Sequence, residues 1–352
     1  MFTQSFMKTV AIALAAGYLF VQLHIILPWL LGPLIVIALI NQGTEMKLSI
    51  PKFWRNTSLI IIGISLGTSF LKEAIQPLAE FLPYMFILTT LVVALTVIMA
   101  WYLTKWTSWD MSTALLGSLP GGLSQMVLMS EEDQRADASV VTLMQTLRVF
   151  FVVTIVPFAA AFLAKKTAAP LQEEASIPSF FSLPMLSIVI LSVMFIVFTA
   201  GFRKIHMPIP FLLAPMAAVI TWNMTGGDPF IVPALLLNAA QVLLGIYLGL
   251  KMVFSKESLP MKYLLLLVIM NVSLVVFCLV AAYLLHVFLD VPLVDLFISL
   301  APGGVAEMAV TSMSAGADIA MVTSFHLFRI FYILFFVSPL TAWWMRRRSL
   351  VN

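Results

Sequence analysis

The chain has 352 residues, of which 62% are hydrophobic and 10% charged, against roughly 45–50% and about 25% in soluble domains. No water-soluble fold of this size hides that much apolar surface, so the expected solvent is a lipid bilayer. The net charge of +3, from 19 basic and 16 acidic residues, excludes a polycation seeking nucleic acid. One cysteine, Cys278, and four scattered histidines, His24, His206, His286 and His326, leave no disulfide and no metal-site spacing.

In chain order, residues 9–23 follow Lys8 and imitate a signal peptide, but they run without a cleavage site into His24-Ile25-Ile26-Leu27-Pro28, which recurs later. The clearest spans are 81–104, 177–202 and 263–289. Each is free of Asp, Glu, Lys and Arg and long enough, at about 1.5 Å per residue, to cross about 30 Å of hydrocarbon.

A shift of 182 residues pairs His24 with His206, Pro28 with Pro210, Pro33 with Pro215, Asn41 with Asn223, Gly63 with Gly245 and Gly67 with Gly249. It also pairs Pro120-Gly121-Gly122 with Pro302-Gly303-Gly304. After one deleted residue the shift is 181 and pairs Asp137 with Asp318, Thr142 with Thr323, Gln145 with His326 and Arg148 with Arg329. Chance does not hold one offset so long. The chain is therefore expected to be two sequence-related membrane repeats, 1–165 and 183–352, joined by a polar linker at 166–182.

Each repeat has six apolar segments, in the first about 8–23, 28–41, 57–71, 81–104, 111–130 and 137–164. The fifth contains Pro-Gly-Gly, which breaks the helical hydrogen-bond ladder, so it is a broken helix or a re-entrant hairpin. Basic residues accumulate on the cytoplasmic face. If all segments cross, ten lie inside and seven outside. If the fifth of each repeat dips in and returns, only Lys72, Lys165 and Lys166 lie outside and fourteen lie inside. That arrangement has five crossings per repeat, so the repeats are inverted. The predicted fold is an all-α polytopic membrane protein of inverted repeats in a bacterial inner or plasma membrane, with both termini cytoplasmic.

Inverted repeats with interrupted helices at their interface are a transporter design, in which irregular backbone lines a cavity. The candidate solute-binding residues are Pro120, Gly121, Gly122, Ser124 and Gln125 in the first repeat, and Pro302, Gly303, Gly304 and Glu307 in the second. The helix after each turn offers free N–H groups and a positive dipole end. A packed kink is the alternative, less attractive for two copies at one repeat position. Arg148 and Arg329 each lie eleven residues after the acidic start of their helix, near mid-membrane. There a charge costs about 2.5–3.5 kcal/mol on insertion scales and requires a partner, a wet cavity or an anionic solute. In Thr-x-x-Gln/His-x-x-Arg the polar residues share one broad face, read as facing solute or as part of a structural ion pair, for example with Glu307. Glu307, whose counterpart is Gln125, and His326 are candidate carriers of a coupling proton, and Glu307 alternatively of Na⁺.

Pro120-Gly121-Gly122-Leu123-Ser124-Gln125-Met126 with Ala136-Asp137 to Arg148, and Pro302-Gly303-Gly304-Val305-Ala306-Glu307-Met308 with Ala317-Asp318 to Arg329, resemble the duplicated motif of the AbrB-type membrane protein family. The resemblance covers nearly the whole chain. That family carries the labels transporter, regulator of gene expression and ammonia monooxygenase, and shares its name with an unrelated soluble DNA-binding regulator. The family pattern often has Glu after the first Pro-Gly-Gly, where this chain has Gln125. The expectation is a non-enzymatic secondary transporter, without cofactor, of a small solute favoured to be an organic anion, coupled to H⁺ or Na⁺. The alternative is a membrane protein that regulates gene expression. A homodimer is left open.

Overall fold

The computed structural model describes residues 4–70, 80–121, 123–133, 135–164, 179–205, 207, 209–252 and 260–349. Most of the linker, the basic residues Lys72, Lys165 and Lys166, and His206 and Gly122 lie outside them. In the first repeat the helices are α1 (Gln4–Gln22), α2 (Pro28–Gly43), α3 (Lys52–Thr68), α4 (Leu82–Trp106), α5 (Met111–Ser118), α6 (Leu123–Glu132) and α7 (Ala138–Ala164). In the second they are α8 (Met185–Lys204), α9 (Pro210–Met224), α10 (Ala234–Lys251), α11 (Met261–Leu289), α12 (Leu293–Leu300), α13 (Val305–Ala315), α14 (Ile319–Tyr332) and α15 (Ser338–Ser349). A π-helical turn, Ile333–Val337, joins the last two.

The molecule is an all-α polytopic membrane protein. Among the described residues α1, α4, α7, α8, α10, α11 and the stretch Ile319–Trp344 are long and apolar enough to span a bilayer, and α2 and α9 are shorter apolar helices. Leu186, Ile196 and Val197 on α8 and Leu265, Val280 and Phe288 on α11 are exposed, as expected where lipid rather than water wets the surface.

The sequence repeat is written into the backbone. Leu27 and Ile209, one shift apart, both take left-handed conformations, φ 52° and 48°, immediately before Pro28 and Pro210. Side chains rarely tolerate that region, least of all a β-branched one, while the following proline disfavours the right-handed helix. Each proline then opens its helix at the first turn, where no N–H is needed.

Two compact units form, and each draws on both repeats. Unit 1 comprises residues 1–80, 161–251 and 309–320; unit 2 comprises 81–160, 252–308 and 321–352. In unit 1, α3 of the first repeat packs on α9 of the second, and α10 of the second packs on α2 of the first. A Cβ at Gly63 would strike the Leu212 carbonyl, and one at its counterpart Gly245 would stand 2.5 Å from the Leu30 carbonyl. Gly67 and Gly249 allow the same approach one turn on. These are small-xxx-small contacts, which bring helix backbones together in a membrane where no hydrophobic force separates helix from lipid. Ala13, Ile37, Val242 and Ile246 fill the space beside one of these crossings.

In unit 2 the interrupted segments sit among the long helices. The first break has a core of Leu115, Leu116, Leu119 and Met126 with Met144 and Leu147 of α7 and Leu267 of α11. Asp110 caps α5 through the Ser112 N–H at 2.8 Å, and Asp137 receives the Ser139 and Val140 N–H groups at the start of α7, as N-terminal carboxylates do.

Candidate functional site

Both Pro-Gly-Gly turns are genuine interruptions. α5 ends at Ser118 and the helix resumes at Leu123; α12 ends at Leu300 and resumes at Val305. A helix of eight residues rises only about 12 Å, so α5 and α12 each end short of a full crossing. Their last carbonyls have no intrahelical partner and carry the negative end of the dipole. In a bilayer each unsatisfied group costs several kcal/mol.

Those carbonyls are taken by Gln/His-x-x-Arg of the following long helix. Gln145 Nε2 donates to Leu116 O at 2.7 Å and Leu119 O at 3.0 Å. Arg148 Nη1 donates to Leu119 O at 2.6 Å, and Nη2 makes a longer contact of 3.4 Å to Gly121 O. The second repeat does the same at shifted positions. His326 Nε2 meets Ile298 O at 3.1 Å. Arg329 Nη1 donates to Ala301 O at 2.7 Å and reaches Leu300 O at 3.4 Å, and Nη2 donates to Gly303 O at 2.7 Å. Both arginines are buried, 6% and 5% exposed. The guanidinium fork suits this task, since one planar group reaches two or three carbonyls.

The tautomer of His326 follows from its partners. Arg329 Nη2 lies 2.5 Å from Nδ1; arginine only donates, so Nδ1 accepts and Nε2 carries the hydrogen given to Ile298 O. The ring is neutral and holds the arginine in place. Protonating Nδ1 would break that contact, a cost that any role as proton carrier must meet.

The starts of the resumed helices differ. Gln125 on α6 donates to Ser338 Oγ at 3.0 Å, linking the first break to the point where the π turn of the second repeat ends. Glu307 on α13 is folded back over its own helix start, where its carboxylate occupies the space a Cβ at Gly304 would need. A carboxylate is favoured at this positive end; the first repeat has the amide of Gln125 at the equivalent position. Gly122 lies outside the described residues, as does the Ser124 side chain.

The expected residues Pro120, Gly121, Gln125, Arg148, Pro302, Gly303, Gly304, Glu307, His326 and Arg329 all fall in unit 2. The polar face expected to meet solute spends most of its donors on backbone carbonyls. Thr142 bonds locally to Ala138 O at 2.7 Å, whereas Thr323 Oγ1 is buried without a partner among the described residues. Sequence reasoning missed Ser338, Ser118 and Asn271. Asn271, an amide within the 29-residue apolar helix α11, carried the one available signal, because such a residue must answer to something inside the protein.

The chain is similar to known proteins along most of its length. The uncharacterized protein YhjN of Bacillus subtilis (strain 168) is 27% identical over 351 residues, covering 94% of this chain and 90% of the relative. A protein named "Putative regulator AbrB" from Escherichia coli (strain K12) is 26% identical over 329 residues, covering 92% and 91%. The family described as "Transition state regulatory protein AbrB" matches residues 29–345, a span that includes both breaks and both arginines, and the chain belongs to that family.

Proposed function

We propose that the protein is a secondary transporter of a small solute, favoured to be an organic anion, whose site lies at the two interrupted helices of unit 2. The observation that carries this reading is the duplicated break, in which two buried arginines hold the carbonyl ends of half-helices that lie within one compact unit. Interrupted helices place free backbone at membrane depth, which membranes tolerate where it lines a cavity. Burying two guanidinium groups at membrane depth is costly; the carbonyls they hold offset part of that cost, and on this reading an anionic solute offsets more.

On this reading Pro120 to Gln125 and Pro302 to Glu307 line the path, Arg148 and Arg329 supply its positive field, and Glu307 is the group that carries a coupling H⁺ or binds Na⁺. The breaks suit alternating access, because a latch of hydrogen bonds has discrete made and unmade states. No catalytic step and no cofactor are assigned. The membrane would be a bacterial inner or plasma membrane, with both termini cytoplasmic. The test is solute-driven flux in proteoliposomes under imposed H⁺ and Na⁺ gradients. Flux should be saturable and lost in Glu307→Gln with respect to gradient coupling; flux indifferent to both gradients in the native protein would remove the coupling role.

A second reading, regulation of gene expression, is favoured by the name of the Escherichia coli relative and by the family's description. The two readings separate in a strain lacking the gene. Restoration of an expression phenotype by a transport-dead Arg148→Ala protein would favour regulation.

A further inference from the structure

The long helices α4 and α11 are counterparts in the two repeats, and each helps to close a small cavity beside the broken helix of the other. One cavity, of about 30 Å³, is lined by Gly117, Ser118, Met144 and Arg148 of the first repeat together with Met270 and Asn271 of the second. The other, of about 10 Å³, is lined by Ser299, Leu300, Phe325 and Arg329 of the second repeat together with Leu88 and Thr89 of the first. Under the repeat offsets these are the same six positions. The cavities occupy equivalent positions, and their linings differ.

A single water needs roughly 10–15 Å³ on this scale. The second cavity is therefore at the limit for one water, while the first has room for a group of two or three heavy atoms. The difference has identifiable causes. Ser118 is replaced by Leu300, Gly117 by Ser299 and Met144 by Phe325, which moves the buried hydroxyl one residue along and inserts a ring.

The polar groups differ too. Arg148 Nε and Ser118 Oγ are buried and have no partner among the described residues. Among the described residues Arg148 Nη2 has only its 3.4 Å contact, whereas Arg329 Nη2 is held at 2.7 Å by Gly303 O and at 2.5 Å by His326. Asn271 donates one amide hydrogen to Leu267 O at 2.8 Å, and the other has no protein acceptor among the described residues. Among the described residues no acidic one lines the first cavity, and Gln125 stands where the second repeat has Glu307.

We propose that the cavity beside Arg148 receives the carboxylate group of the solute, and that its counterpart beside Arg329 is too small to do so, Arg329 being engaged in latching its broken helix. Nε–H and the adjacent Nη2–H form the edge of a guanidinium that takes two carboxylate oxygens side by side. The Ser118 hydroxyl and the free Asn271 amide hydrogen supply further donors, and Met144 and Met270 exclude water. The identification of this ligand as a transported solute rests on the transporter reading; the binding site itself does not.

The test uses the full-length protein in nanodiscs, with formate as the smallest carboxylate probe and chloride as a comparator of equal charge. Saturable formate binding is expected. Met144→Phe and Ser118→Leu, which import residues that the twin cavity already tolerates, should each weaken it at least tenfold, and Ser299→Ala should leave it within twofold. Should Met144→Phe or Ser118→Leu fail to give monodisperse protein, Ser118→Ala removes only the hydroxyl and should weaken binding three- to tenfold. The proposal is overturned by absence of saturable formate binding, by preference for chloride, by full affinity in these variants, or by equal loss in Ser299→Ala. Formate binding without carboxylate-driven flux in proteoliposomes would end the transporter reading and keep the site. Flux undiminished in well-folded Met144→Phe would end the site and keep transport.

Discussion

Units 1 and 2 are assembled in the same way, with a portion of each repeat facing the other, yet they join those portions with opposite materials. In unit 1 the repeats meet backbone to backbone over Gly63 and Gly245, with small and aliphatic residues around them. In unit 2 they carry broken helices whose loose carbonyls are held by Gln145 and Arg148 or by His326 and Arg329. Close glycine contacts have one good geometry and lose it when a single atom is added. Hydrogen bonds to a half-helix end can be exchanged for others at modest net cost. The two units are thus held by different means, close backbone contact in one and hydrogen bonds to half-helix ends in the other.

The largest effect should come from removing a latch. Arg329→Ala strands the carbonyls of Ala301 and Gly303, and the loss of charged hydrogen bonds, partly offset by no longer burying a cation, should cost about 2–4 kcal/mol. Chemical denaturation in mixed micelles measures it, with membrane insertion retained; a stability equal to the native protein would show that the arginine does not hold the break. The seam of unit 1 comes next. Gly63→Ala and Gly245→Ala should each cost about 1–3 kcal/mol by overpacking, read as a lower unfolding midpoint, and a neutral result in both would mean that the helices are not held at that distance.

A smaller effect separates the two latches from each other. His326→Gln places in the second repeat the residue that already serves the first, and should change stability by less than about 1 kcal/mol. A larger loss would mean that the imidazole does more than hand Arg329 to the carbonyls. The last prediction carries no energy and sharpens the comparison instead: if the repeats are inverted, cysteines placed at 131–136 and 313–318 label from opposite sides of the membrane. Labelling from one side contradicts the inversion.

Much of this architecture was legible because duplication doubles every signal. Pro120-Gly121-Gly122 alone reads as a kink, but with Pro302-Gly303-Gly304 at the same offset it reads as a device, and both are interruptions in the structure. The pairing of Gly63 with Gly245 pointed to repeated roles without revealing that each faces the opposite repeat, because a linear offset carries no information on which helix lies alongside. The arginines were found through the cost of burying charge, yet their partners are backbone carbonyls. Every residue has a carbonyl, so no sequence pattern distinguishes one that is stranded. The cavity beside Arg148 was invisible for a related reason, since it is defined by the space left by Gly117, Ser118 and Met144 and not by any motif.

On the proposed function, solute passes at the latched breaks of unit 2. Electrical recording from proteoliposomes on a solid-supported membrane, during rapid jumps in carboxylate concentration, tests that directly. The native protein should give a saturable transient current, and Arg148→Ala, inserted at equal density, should give less than about one hundredth of it, a loss of about 2.7 kcal/mol. Equal currents from the two proteins would contradict the account.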